Sequence, residues 1–280
     1  MAGVPGPTAI MEPILLFYYA LIGVVAGVAA GLLGIGGGLI IIAPLAALYR
    51  LQGFPEEILM QLAVGTSLAT IVVTSLASAR AHHRRGAVLW PLLGRFIPGV
   101  MVGCLLGALA ADRVSSRGLE IFVGSFAAVA GLRMLVRVNP PPHRTLPGTV
   151  VLLMAGVVIG AVSTLVGIGG GLMTVPLLVW GSVPVRHAIG TSSALGFPIA
   201  LFGAAGMMAV GHGHPDLPPL ATGYVYWPAV LSIVAATVLF APVGAHLTHV
   251  LPTRLVAVFF AFVLFAVAAR LVSGGQWPSL

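Results

Sequence analysis

Polar side chains are sparse along this chain, and their positions divide it into apolar stretches near residues 14–34, 59–79, 88–110, 118–138, 149–167, 188–210, 224–246 and 255–272. About 20 apolar residues at 1.5 Å each match the hydrocarbon thickness of a bilayer, so each stretch can cross as a helix. Two shorter stretches, 37–49 and 171–181, reach roughly half of a perpendicular crossing. Both follow a glycine cluster, GIGGG at 34–38 and again at 167–171. The pattern predicts an all-α polytopic membrane protein of eight long transmembrane helices, with two short segments after the GIGGG breaks.

The pattern is also written twice. GIGGGL at Gly34 recurs at Gly167, GTS at Gly65 recurs at Gly190, and Trp90-Pro91 recurs at Trp227-Pro228. Beyond that point Gly107 meets Gly244, Arg117 meets Arg254, Phe122 meets Phe259 and Arg133 meets Arg270, all at one offset of 137 residues. Ordered matches of this kind mark an internal repeat. The run NPPPHRTLPG at 139–148 cannot continue a helix, because proline lacks the amide proton and clashes with the preceding turn. The expected organisation is a first transmembrane repeat at 13–138, a cytoplasmic proline-rich linker at 139–148 and a second repeat at 149–272.

Composition agrees with membrane burial. Hydrophobic residues make up 59% of the chain and charged residues 7%, too few to cover a soluble fold. The net charge of +7 comes from thirteen arginines with no lysine, scattered among short loops, which argues against a nucleic-acid partner and for membrane orientation. RAHHRRG at 80–86 carries three arginines and 133–144 carries three more, so both are expected to be cytoplasmic. The second-half equivalent of RAHHRRG is GHGHPDLPPLATG at 211–223, with no arginine and one aspartate, which points to inverted halves. If each GIGGG hairpin returns to its own side, eight arginines fall inside and four outside, with Arg95 unassigned; parallel halves give seven and five. Residues 1–12 hold no basic side chain for a signal-peptide n-region, so the first apolar segment is expected to be retained. The reading is a multi-pass protein of the plasma (inner) membrane, with the lipid bilayer as partner and an oligomer left open. Cys104 stands alone, which excludes an intramolecular disulfide.

Glycine clusters in membrane helices have two readings. One is close helix packing, which small residues allow. The other is a discontinuous helix flanking a midplane site, and the dense cluster, its duplication and the short segment after it favour this second reading. An unwound GIGGG leaves the first amides of the following helix unpaired and aims its positive dipole end at the break, where an anion satisfies both. The candidate substrate ligands are Gly36, Gly37 and Gly38 with Gly169, Gly170 and Gly171. Beside them stand duplicated hydroxyls, Thr66 and Ser67 with Thr191, Ser192 and Ser193, which can donate to oxyanions or bond their own helix.

The segments GIGGG at 34–38, AVGTS at 63–67, AHHRRG at 81–86, GIGGG at 167–171 and AIGTS at 188–192 together resemble the TauE/SafE-type sulfite exporter permeases. The resemblance covers nearly the whole chain, with Ile189 in place of a valine. It implies a permease for small anions, among which sulfite, sulfonates and other organosulfur or carboxylate anions are assigned to members.

All six acidic residues, Glu12, Glu56, Glu57, Asp112, Glu120 and Asp216, fall in loops or at segment ends, which argues against a carboxylate proton relay or a sodium site. Export of an anion needs no chemical coupling, since each charge gains about 2.3 kcal/mol per 100 mV of interior-negative potential. The expected function is export of a sulfite-like anion by alternating access; a carboxylate permease and an anion channel are the alternatives. His82, His83 and Arg84 are candidates for gating or anion attraction beside a plainer role as interfacial residues. Trp90, Trp227, Tyr224 and Tyr226 read as interfacial belt residues. No metal site, no cofactor and no catalytic residue is expected, because HExxH, paired intramembrane aspartates and a Ser-His constellation are all missing from the sequence.

Overall fold

The computed structural model describes residues 13–33, 37–136, 146–250 and 253–274. Ten helices follow in order: α1 Pro13–Leu33, α2 Gly38–Leu51, α3 Leu59–Arg84, α4 Trp90–Arg113, α5 Ser116–Val136, α6 Thr149–Val166, α7 Gly171–Trp180, α8 Val185–Val210, α9 Trp227–Val250 and α10 Thr253–Val272. Eight are long and apolar enough to span a membrane, and α2 and α7 are the short apolar pair. A two-stranded antiparallel hairpin, β1 Ala221–Thr222 and β2 Val225–Tyr226, lies between α8 and α9. The linker expected at 139–148 falls outside the described residues except for 146–148.

Helix directions establish how the halves relate. Leu68 of α3 lies against Gly203 of α8, and Ser75 against Gly196, so one number falls as the other rises. These two helices carry the duplicated GTS, yet they run antiparallel. The same holds for α5 and α10, where Gly124 meets Ala268 and Gly131 meets Ala261. Equivalent helices therefore point in opposite directions, and the halves are inverted.

The remaining pairs are exchanged between halves. α1 packs along α9, and α6, the counterpart of α1, packs along α4, the counterpart of α9. α4 and α6 run parallel: Gly99 faces Leu153, Gly103 faces Val157 and Gly107 faces Ala161. A Cβ on Gly103 would sit 2.1 Å from the Val157 carbonyl oxygen, so this stripe of glycines fixes how closely the two backbones approach. α2 ends where Arg50 reaches Glu120 at the start of α5, so α1 and α2 enter and leave on one face. Gly181 after α7 meets Leu146 before α6, so the second pair does the same on the other face.

That second face collects Arg80, Arg84, Arg85, Arg133, Arg186 and Arg254, with the Arg186 guanidinium donating to the Arg85 carbonyl. The opposite face holds Arg50, Arg113, Arg117 and Arg270. Residues 80–84 of the RAHHRRG segment, expected as a loop, form the last turns of α3; only Arg85 and Gly86 turn.

Gly103→Ala is expected to destabilise the purified protein by about 1–3 kcal/mol through overpacking. Gly94→Ala, with nothing within 4 Å of the added carbon, should be neutral or stabilise by up to about 1 kcal/mol. Denaturant unfolding in one detergent compares the two.

Candidate functional site

The second glycine cluster shows what the run accomplishes. Gly167 ends α6 in the left-handed conformation (φ 70°), and the amide of Ile168 reaches back to the Ser163 carbonyl at 2.9 Å, a Schellman-type stop. Gly170 is left-handed again (φ 75°) and opens α7. A residue bearing a Cβ is strained at both turns. In the first half Gly37 (φ 64°) opens α2 in the same way, whereas Gly36 lies outside the described residues. The first amides of α2 and α7, on Gly38, Leu39, Gly171 and Leu172, have no acceptor within their own helices.

The two breaks meet. A Cβ on Gly38 would sit 2.4 Å from the Gly167 carbonyl oxygen and 2.9 Å from the Ile71 side chain, level with the middle of α3. The Ser67 hydroxyl lies at this crossing, 3.0 Å from the Gly167 carbonyl and 3.4 Å from that of Gly38. It has one proton to give, and the shorter contact takes it. Ser67 thus joins the two halves at the crossing.

Its neighbours have other tasks. The Thr66 oxygen accepts from the Tyr49 hydroxyl and from the Tyr226 amide, both at 3.1 Å. Thr191 accepts from the Leu89 amide at 3.0 Å. Leu89 and Tyr226 are equivalent under the 137-residue offset, and each immediately precedes a helix, α4 or α9. Each threonine therefore supplies an oxygen at the start of a helix of the other half, and neither lies on the cavity wall described next.

Beside the crossing is a cavity of about 40 Å³. Thr74, Ser75 and Ser78 of α3 line one side, Ser192 and Ser193 of α8 the other, and Gly169 and Gly171 contribute backbone. Among the described residues, no charged one lines it. The Ser192 and Ser193 oxygens are buried without a hydrogen-bond partner, and Ser192 is 3% exposed. Thr74 and Ser75 bond back to the carbonyls of Ile71 and Val72 at 3.3 and 3.2 Å. A buried hydroxyl left unpaired costs about 1–3 kcal/mol, so the wall holds unused donor capacity. On α3 and α8 these residues lie toward the arginine-rich ends of both helices.

The chain matches the sulfite exporter TauE/SafE family over residues 19–271. It belongs to that family. A probable membrane transporter protein of Haemophilus influenzae is 34% identical over 255 residues, covering 90% of this chain and 96% of that protein. The probable membrane transporter protein YunE of Bacillus subtilis is 24% identical, covering 91% and 96%. Another from Methanocaldococcus jannaschii is 25% identical, covering 82% and 83%. This TauE/SafE protein is thus a multi-pass membrane transporter.

One sequence reading needs correction for this transporter. Tyr224 and Tyr226 are not belt residues; the hairpin folds them inward, 2% and 6% exposed. The Tyr224 hydroxyl donates to Asp112 at 2.8 Å, and burial, then that carboxylate, pushes the phenol's pKa upward and keeps it a donor. Tyr226 packs with Tyr19, Tyr49 and Phe54. Glu120, although at a helix start, is 2% exposed and held by Arg50 and Arg117. Trp90 and Trp227 do stay on the surface. His82, His83 and Arg84 sit in the last turn of α3, where the Trp90 indole donates to His83 at 3.2 Å, outside the cavity wall.

Thr74, Ser75 and Ser78 went unnoticed in the sequence because no duplicated motif contains them. Their signal is spacing: with Ile71 they occupy i, i+3, i+4 and i+7, one face of a helix.

Thr66→Val should lower stability by about 1–3 kcal/mol, since it strands the Tyr49 hydroxyl and the Tyr226 amide. Ser192→Ala should leave it unchanged or raise it, by up to about 1–3 kcal/mol, because it removes a buried hydroxyl that holds nothing. Unfolding of the two purified variants measures the contrast.

Proposed function

We propose that this transporter carries a small oxyanion, sulfite or a compact sulfonate, out of the cell by alternating access, with the anion held in the cavity beside the crossing of the two glycine breaks. The observation that carries this reading is the coincidence there of unpartnered buried hydroxyls with the N-terminus of α7. Helix N-termini offer amide protons and positive dipole ends, and discontinuous transporter helices use them for anionic groups. A wall free of carboxylates spares an anion like-charge repulsion at low dielectric.

Size narrows the class. At roughly 10–15 Å³ per water-sized group, a 40 Å³ cavity holds about three such groups, in keeping with the oxygens of a small oxyanion. The family's name supports sulfite as the first compound to test. On this reading Ser192, Ser193, Gly169 and Gly171 form the site with Thr74, Ser75 and Ser78. Gly37 and Gly170 set the turns, and Ser67, Thr66 and Thr191 hold the frame. The arginine-rich face is cytoplasmic by the positive-inside rule, so His82 and Arg84 stand just beyond the inner mouth and attract anions.

In proteoliposomes, sulfite efflux should rise with an interior-negative potential, about fiftyfold in driving force per charge per 100 mV, and persist without a proton gradient. Replacing both Ser192 and Ser193 by alanine should weaken sulfite affinity about 10- to 100-fold, the range for bonds to a charged group. Flux of lactate but not sulfite would favour the carboxylate reading, and unchanged sulfite affinity in the double variant would move the site elsewhere.

A further inference from the structure

Among the described residues, the α3 hydroxyls on the cavity wall are not repeated on α8. The register that superposes Gly65-Thr66-Ser67 on Gly190-Thr191-Ser192 places Ile199, Ala200 and Gly203 where Thr74, Ser75 and Ser78 stand, and Leu68 where Ser193 stands. Ile199, Ala200 and Leu68 are all fully buried, and Gly203 is packed against the Leu68 side chain. The α3 hydroxyls on one side are matched by aliphatic positions on the other, where the buried Thr164 hydroxyl lies against Gly203. Farther toward that face lies the cluster of Tyr19, Tyr49, Phe54 and Tyr226, and beyond it the Glu120 ion pairs.

Those ion pairs tie three helices that a transporter must separate to open there. Glu120 of α5 accepts from Arg50 at the end of α2 and from Arg117, the latter at 2.9 Å. Arg117 also donates to the carbonyls of Leu271, at 2.8 Å, and Val272 at the end of α10. α2 begins at the crossing and ends at Glu120, so this carboxylate anchors the outer end of a rod whose inner end presses on Gly167 and on Ile71 of the cavity wall. Among the described residues the second half shows no arginine–carboxylate pair at the corresponding helix ends. Arg254 repeats Arg117, but Ala257 stands in place of Glu120, and Gly171–Trp180 carries no charged residue to match Arg50. Among the described residues the duplicated bundle thus carries the acid–arginine tie on one face.

We propose that Glu120 is a positioning residue for transport: by holding α2, α5 and α10 together it keeps the face opposite the arginine-rich one closed while the cavity faces the arginine-rich side. Opening the far side requires Glu120 to release Arg50. This rests on the cavity being the transport site, so the test separates the two.

In a Cys104→Ala background, Ser78→Cys reports on the cavity and Leu68→Cys on its aliphatic counterpart. A membrane-impermeant thiol reagent added to the arginine-rich face should modify Ser78→Cys, and Leu68→Cys should resist reagent from either face. Adding Glu120→Gln should make Leu68→Cys react from the opposite face at least tenfold faster and should slow Ser78→Cys. Glu120→Asp, which keeps the charge, should restore most of the original pattern. If Glu120→Gln lowers the melting temperature but leaves sidedness unchanged, Glu120 is only a staple and the proposal is wrong. If Leu68→Cys reacts from the opposite face while Glu120 is intact, that face is not closed and the proposal again fails. If Ser78→Cys resists reagent from the arginine-rich face in every variant, the cavity reading itself is overturned, and the gating role with it.

Discussion

Backbone amides and carbonyls cannot go unpaired in a bilayer, and the whole arrangement follows from how two interruptions of helix are accommodated at mid-bundle. Gly167 and Gly170 turn the chain back in left-handed geometry, and the second break presses on Gly38 at the start of α2 with no side chain between them. The Ser67 hydroxyl takes up the Gly167 carbonyl at this contact. The leading amides of the two short helices have no acceptor within their own helices, and the hydroxyls of Ser163, Thr164, Ser192 and Ser193 are buried with no hydrogen-bond partner among the described residues. The positive dipole ends of both short helices at this place favour negative charge.

Inversion gives the crossing its rigidity. Because the halves exchange helices, the start of α9 rests on Thr66 of the first half and the start of α4 on Thr191 of the second. Neither half completes its own helix starts. Glycine stripes bring α4 against α6 and α1 against α9, so packing rather than polar bonding carries most of the contact between halves. The centre, by contrast, where α3 and α8 run antiparallel, is lined on one side by small hydroxyl residues that pack less tightly.

The spans, the repeat and the two breaks were legible because each depends on a local property: stretch length, order of motifs, and the need for glycine where φ is positive. Side-chain roles within a helix were not. Thr66 and Ser67 are neighbours in one motif, yet about 100° of rotation separates them, and one holds a helix start of the other half while the other binds the crossing. The arginine count favoured inversion by a single residue; antiparallel packing of α3 on α8 decides it. Glu120 read as an interfacial acid, since nothing in SSRGLE announces that the end of α2, 70 residues earlier, arrives beside it.

Duplication supplies two equivalent frames, and divergence makes them unequal. A strictly symmetric pair would present hydroxyls toward both faces and tie both faces or neither. Here the serine and threonine donors of α3 gather toward the arginine-rich side, while Ile199, Ala200 and Leu68 close the other. On the proposed reading, an anion passing toward that other side meets Ile199 and Leu68 in place of the α3 hydroxyls, beside the buried Thr164 hydroxyl, so the two stations differ in lining even though the frame is two-fold. Unequal stations cannot set the direction of net flux, which the electrochemical gradient decides.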